Sequence, residues 1–127
     1  MGLLENRVIL VTGGASGIGR PPALACVREG AKVVVSDVNA ALGEETVSLI
    51  QAQGGGALFV ACDVSKSADV RDLIAEIKAS YGRLDGAFNN AGVEVTGPIA
   101  EVTVEQYRKC FDINVLGVLL SMKHQIP

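Results

Sequence analysis

The chain has 127 residues, a formal net charge of −3, 49% apolar residues and 20% charged residues. That length holds one domain with a single core, and the apolar fraction marks a globular chain rather than a disordered one. The slight acidic excess and the 4% aromatic content exclude a general nucleic-acid binder, an anionic-membrane binder and a base-stacking platform.

The amino terminus, Met1-Gly2-Leu3-Leu4-Glu5-Asn6, lacks the basic start and long apolar stretch of a signal peptide. No apolar run reaches membrane-spanning length, so the expected compartment is the cytoplasm. A first strand is predicted from Arg7 to Thr12, running into the turn Thr12-Gly13-Gly14-Ala15-Ser16-Gly17-Ile18-Gly19. Glycines let a backbone pass close to a pyrophosphate, and the helix that follows offers free N–H groups and a positive dipole end to phosphates. With Ser16 as N-cap, Pro21 and Pro22 would fall in the second turn and remove hydrogen bonds to the carbonyls of Gly17 and Ile18. Either this helix begins later or it is kinked beside the phosphate site, with a weakened grip on the ligand.

A second strand is predicted from Lys32 to Asp37. Asp37 stands about 20 residues beyond the glycines, where a carboxylate can accept hydrogen bonds from a ribose diol. Its alternative role is to cap a loop. Asn39 is suited to cap the second helix, which Gly54-Gly55-Gly56 would end. The third strand, Ala57 to Cys62, leads to Asp63-Val64; Asp63 with Ser65 could equally serve as a capping device for the third helix. In that helix Val70, Leu73, Ile74 and Ile77 fall on one face. A fourth strand, Asp85 to Asn89, enters the turn Asn89-Asn90-Ala91-Gly92, which could be purely architectural. Thr103-Val104-Glu105-Gln106 is a capping box opening the fourth helix.

The first three strands are near-continuous apolar runs, as expected of parallel strands covered on both faces. Alternating strands and helices predict an α/β, Rossmann-like doubly wound parallel sheet in the order 3-2-1-4, with a ligand beyond the carboxyl ends of strands 1 and 4. Cys26, Cys62 and Cys110 lie in apolar-periodic segments and read as buried free thiols of a reducing compartment. His124 is the one histidine and no Cys/His pair has ligand spacing, so no metal is expected.

Taken together, the glycine turn, Asp37, Asp63-Val64 and the Asn-Asn-Ala-Gly turn closely resemble the short-chain dehydrogenase/reductase superfamily, in its main NAD(P)-dependent branch. The resemblance implies an oxidoreductase that interconverts secondary alcohols and ketones by hydride transfer. It assigns Gly13, Ser16, Gly17, Ile18 and Gly19 to the pyrophosphate, Asp37 to the adenosine ribose, and Asp63 with Val64 to the adenine. Asn90, Ala91 and Gly92 would lie along the cofactor. The charge of Asp37 would repel a 2′-phosphate, and neither Ala15 nor Ser16 supplies a compensating cation, which favours NAD over NADP.

Asn114 resembles the asparagine of the family's catalytic tetrad. It shares a helical face with Phe111 and Val118, where an amide must find partners, so it could also be a satisfied core amide without a catalytic task. The family's tyrosine, four residues before a lysine, has no counterpart: Tyr81 is followed by Asp85 and Tyr107 by Phe111. The family's serine, tyrosine and lysine would follow Pro127. Residues 1–127 are therefore expected to form a partial dinucleotide-binding domain ending within the fourth helix. The fourth strand would be an exposed edge, and the apolar helix face from Ile113 to Leu120 would be short of partners. Such a chain is expected to be inactive alone, with a small-molecule alcohol or ketone as substrate only in a complete protein. The alternative is a non-catalytic NAD-binding module or interaction fragment. Homo-oligomers are common in the family, and no nucleic-acid or membrane partner is expected.

Overall fold

A computed structural model describes residues 2–15, 19–93 and 97–126. Four parallel strands, β1 (Val8–Thr12), β2 (Lys32–Asp37), β3 (Ala57–Ala61) and β4 (Gly86–Asn89), form one sheet in the order β3-β2-β1-β4. Strand β1 is central, with Thr12 level with Ser36 on one side and Asn89 on the other. The predicted order 3-2-1-4 is therefore the one observed.

Side chains alternate across the sheet as the period of two demands. Val8, Leu10 and Val34 point to the layer that contains Val70, Leu73 and Ile77 of α3 (Ser67–Tyr81). Val11, Val33 and Val35 point the other way, to Ala23 of α1 (Arg20–Arg28) and Val47 and Ile50 of α2 (Ala40–Ala52). Asn39 caps α2 by accepting the Leu42 N–H at 3.0 Å, and Gly54, at φ +79°, turns the chain away beyond its end.

The last helical stretch opens on the predicted capping box, with Thr103 Oγ1 accepting from the Gln106 N–H and the Gln106 side chain from the Thr103 N–H. It then runs as α4 (Val104–Phe111), a π turn (Asp112–Leu116) and α5 (Gly117–Gln125) without leaving helical backbone angles. In the π turn the Gly117 N–H reaches back five residues to the Asp112 carbonyl. The carboxyl end of α5 is held to the sheet by a reciprocal amide pair: Gln125 donates to Asn89 at 2.7 Å and Asn89 to Gln125 at 3.1 Å.

Four expectations need correction. Helix α1 starts at Arg20 after Gly19 rather than at Ser16, so Pro21 and Pro22 sit in its first turn, where an N–H has no intrahelical acceptor and proline's fixed φ suits the helix. No kink is needed. Strand β3 is an edge strand whose residues are half-buried or exposed rather than buried, although Val60 packs on one layer and Ala57 and Phe59 on the other. Only Cys62 is a buried thiol; Cys26 and Cys110 are half-buried, and all three are free. Strands β1 and β4 begin one residue later than Arg7 and Asp85, and β3 ends at Ala61, one residue before Cys62; the Asp85 carboxylate accepts the Val8 N–H at 2.8 Å. The apolar side chains of Val115, Leu116 and Leu119 are exposed, as is Phe88 of β4, whereas Ile113 and Leu120, the ends of the helix face expected to lack partners, pack on the α3 layer.

Candidate functional site

At the carboxyl ends of the strands a cleft opens whose wall includes Gly13, Asp37, Asp63, Val64, Ala91 and Gly92. Six predicted cofactor residues from four separate chain segments thus share one cavity of about 100 Å³. Among the described residues lining it there is no lysine or arginine. Ser16, Gly17 and Ile18 lie outside the described residues.

Gly13 adopts φ +66°, and a Cβ there would stand 2.9 Å from the Ala91 Cα. Only glycine satisfies both the backbone angle and the space. A Cβ on Gly19 would run into the Gly13 carbonyl oxygen, so the start of α1 lies directly on the turn. Gly14 donates its N–H to the Ser36 carbonyl at 3.3 Å, which extends the β1–β2 pairing into the turn.

Asp37, at the end of β2, is half-buried. Its Oδ2 accepts the Ala15 N–H at 3.2 Å and its Oδ1 the Asn39 N–H at 3.1 Å. A carboxylate has about four lone-pair positions. Two remain for a diol, so bracing the turn and holding a ligand are compatible tasks. The loop-capping role and the ligand role belong to one side chain.

Asp63 accepts from both the N–H (3.0 Å) and the hydroxyl (2.6 Å) of Ser65. The hydroxyl bond holds its carboxyl below the ordinary range, ahead of opposition from desolvation. It does not cap α3, whose N-cap is Lys66. Beside it, burial pushes the Cys62 thiol up to about 11, helped by the negative charge of Asp69 and opposed by the Ser36 hydroxyl. That thiol is inert in the neutral range.

Thr12 organises the other wall, a role beyond its place at the head of the glycine turn. Its buried Oγ1 accepts the N–H groups of Asn90 (3.0 Å) and Ala91 (3.1 Å). Asn90 in turn donates its side-chain amide to the Gly13 carbonyl at 3.3 Å. One hydroxyl therefore locks the turn after β4 to the turn after β1. A threonine at the last position of the central strand, just before the glycines, was the available signal.

Asn114, in the π turn, is exposed, as is Phe111 of α4, while Val118 on the same predicted face is half-buried. Its amide is nonetheless engaged: Oδ1 accepts the Val93 N–H at 2.8 Å, and Nδ2 donates to the Val93 carbonyl at 2.7 Å and to Cys110 Sγ at 3.3 Å. The side chain pairs with Val93 as a neighbouring strand would. A Cβ at Gly92 would lie 3.1 Å from the Asn114 Oδ1, so Asn114 is set against the end of the Asn-Asn-Ala-Gly turn. Among the described residues no cluster of three His, Cys, Asp or Glu could hold a metal ion, and no helix is long and apolar enough to cross a membrane.

Comparison with known proteins shows the family and the fold. The family model described as short chain dehydrogenase matches residues 7–127. A 2,5-dichloro-2,5-cyclohexadiene-1,4-diol dehydrogenase of Sphingobium indicum is 47% identical over 124 residues, covering 97% of this chain and 48% of that protein. A cyclopentanol dehydrogenase of Comamonas testosteroni is 38% identical over 123 residues, covering 97% and 49%. Among solved structures, levodione reductase superposes with a TM-score of 0.91 at 34% identity, over 97% of this chain and 49% of that one. The citronellol catabolism dehydrogenase of Pseudomonas aeruginosa gives 0.93 at 33% identity, over 98% and 51%. The chain spans about half the length of these relatives. With a four-stranded parallel sheet, a glycine turn braced by Asp37 and a sequence match over nearly its whole length, this chain belongs to the short-chain dehydrogenase family.

Proposed function

We propose that residues 1–127 hold the adenosine end of NAD, as the first part of an oxidoreductase that moves hydride between nicotinamide and a secondary alcohol or ketone. The observation that carries this reading is Asp37. Its carboxylate braces the glycine turn at Ala15 while keeping lone pairs for a ribose diol, in a cleft it shares with Asp63 and Val64. The residues present fit a dinucleotide, because Gly13 leaves space where any side chain would collide with Ala91. Asp63 would meet the adenine amino group, Val64 would pack beside the ring, and Ala91 and Gly92 would follow the cofactor along its length. By the family resemblance, Ser16, Gly17, Ile18 and Gly19 would be the remaining pyrophosphate contacts.

NAD is favoured over NADP on charge. Two carboxylates face the cleft with no cation among the described lining residues, and a 2′-phosphate brought there would meet repulsion. When bound, nicotinamide supplies the hydride acceptor. The substrate class is supported by the names of the relatives, two of which are dehydrogenases of a cyclic diol and of cyclopentanol. Within these 127 residues no tyrosine stands four residues before a lysine, so the chain alone binds without turnover. Asn114 would join a catalytic group only together with that pair. The same observation favours a second reading, a NAD-binding module without chemistry.

Calorimetric titration tests the first step. NAD is expected to bind at least about tenfold tighter than NADP, and Asp37→Ala to weaken NAD by about tenfold, the loss of one charge-assisted hydrogen-bond set. NADP binding as tightly as NAD, or an Asp37→Ala affinity equal to wild type, would overturn the reading.

A further inference from the structure

We infer that Thr46, on α2, is a positioning residue for the Asp37 carboxylate and the glycine turn. This rests on the dinucleotide reading of the cleft and adds to it a side chain that lies outside the cleft wall.

Thr46 is fully buried, in the apolar stripe of Gly43, Val47 and Ile50. A hydroxyl in such a stripe needs partners, and Thr46 has three. Arg20 Nε donates to its Oγ1 at 2.9 Å, and the Oγ1 lies 3.1 Å from the Ala15 carbonyl and 3.2 Å from that of Leu42. It has one proton to give. The Ala15 carbonyl is the nearer acceptor, and that of Leu42 already takes a hydrogen bond from Arg20 Nη2 at 3.2 Å, so the Thr46 proton is assigned to Ala15.

Ala15 is wholly buried and is gripped on both sides. Its carbonyl takes the Thr46 hydroxyl, and its N–H goes to Asp37 Oδ2 at 3.2 Å. The hydrogen bonds therefore run from Arg20 through Thr46 and Ala15 to the carboxylate. They join the first residue of α1, one face of α2, the glycine turn and the end of β2. Arg20 looks at first like a phosphate ligand, being a cation beside the turn. A cation at a helix N-terminus is unfavourable on its own, however, and this guanidinium is engaged with Leu42, Glu45 and Thr46. Arg20 acts by fixing Thr46.

Thr46→Val keeps the shape and removes the hydroxyl; Thr46→Ser keeps the hydroxyl. Two readouts on the full chain decide the matter. Without ligand, amide hydrogen exchange at Ala15 should quicken by about tenfold in Thr46→Val, as expected for the loss of one buried hydrogen bond, while Leu10 and Val34 keep wild-type protection. In calorimetry with NAD itself, the dissociation constant should rise by about tenfold in Thr46→Val, and Thr46→Ser should restore both values. Unchanged Ala15 exchange in Thr46→Val overturns the inference, and so does loosened exchange with unchanged NAD affinity. A wild-type chain that binds no NAD overturns the dinucleotide reading instead; the Ala15 exchange then decides alone whether Thr46 holds Asp37. If Thr46→Val does not fold, Arg20→Met removes the donor to Thr46 and is judged by the same two readouts.

Discussion

Replacing Thr12 with valine changes almost nothing in shape and removes the hydroxyl that ties two turns together. Thr12 Oγ1 is the acceptor for the N–H groups of Asn90 and Ala91. A buried N–H left without an acceptor costs about 1–3 kcal/mol. The Asn90 N–H keeps the Phe88 carbonyl at 3.0 Å, so the half-buried Ala91 N–H alone is left without an acceptor, and about 2 kcal/mol is the expected loss. For a chain of this size that is a fall in Tm of about 7 °C. Thr12→Ser is the control, since it keeps the hydroxyl and loses one buried methyl, worth about 1 kcal/mol. Urea denaturation followed by circular dichroism should therefore rank wild type above Thr12→Ser and Thr12→Ser above Thr12→Val. Hydrophobicity and strand propensity alone give the opposite order for the two variants. Thr12→Val as stable as Thr12→Ser would refute the assignment of Thr12 as the lock.

Two further outcomes follow from the helix start and the buried thiol. Pro21→Ala and Pro22→Ala should each change stability by no more than about 1 kcal/mol, because both prolines occupy the first turn of α1; a gain near 3 kcal/mol in urea unfolding would mean that the helix is strained after all. Cys62 binds its proton more tightly folded, with a pKa of about 11 against 9.0 ordinarily. Its contribution is thus complete below pH 9 and is lost as pH rises towards 11. Cys62→Ala should show a shallower fall in Tm over that window, and parallel curves for the two proteins would contradict it.

The sheet and its order were legible because β1 and β2 are buried runs whose alternate residues must meet different helices, and the chain punctuates each crossover with a cap or a glycine. The site was legible where chemistry and backbone constraint coincide, as at Gly13 and Asp37. It was obscure where a local rule was applied to the wrong residue. Ser16 is a good N-cap by type, yet the two prolines are better accommodated in the first turn than in the second, and the helix starts later for that reason. A hydroxyl at Thr46, in the stripe of Gly43, Val47 and Ile50, signals a buried partner, but that partner, Ala15, is 31 residues away and no periodicity shows it. The π turn was hidden for the same reason, since Asn114 pairs with the backbone of Val93 across 21 residues.

That π turn also divides one continuous helix into two segments with different angular phase. A residue inserted into an α-helix turns everything beyond it by about 100°. The segment from Val104 to Phe111 can therefore present one set of side chains towards the chain around Val93, while Gly117 to Gln125 meets α3 and the end of β4 on an independently chosen face. Substitutions on the two sides of Asp112–Leu116 are accordingly free of a common helical repeat. Each segment can be tuned to its own neighbour without rotating the other.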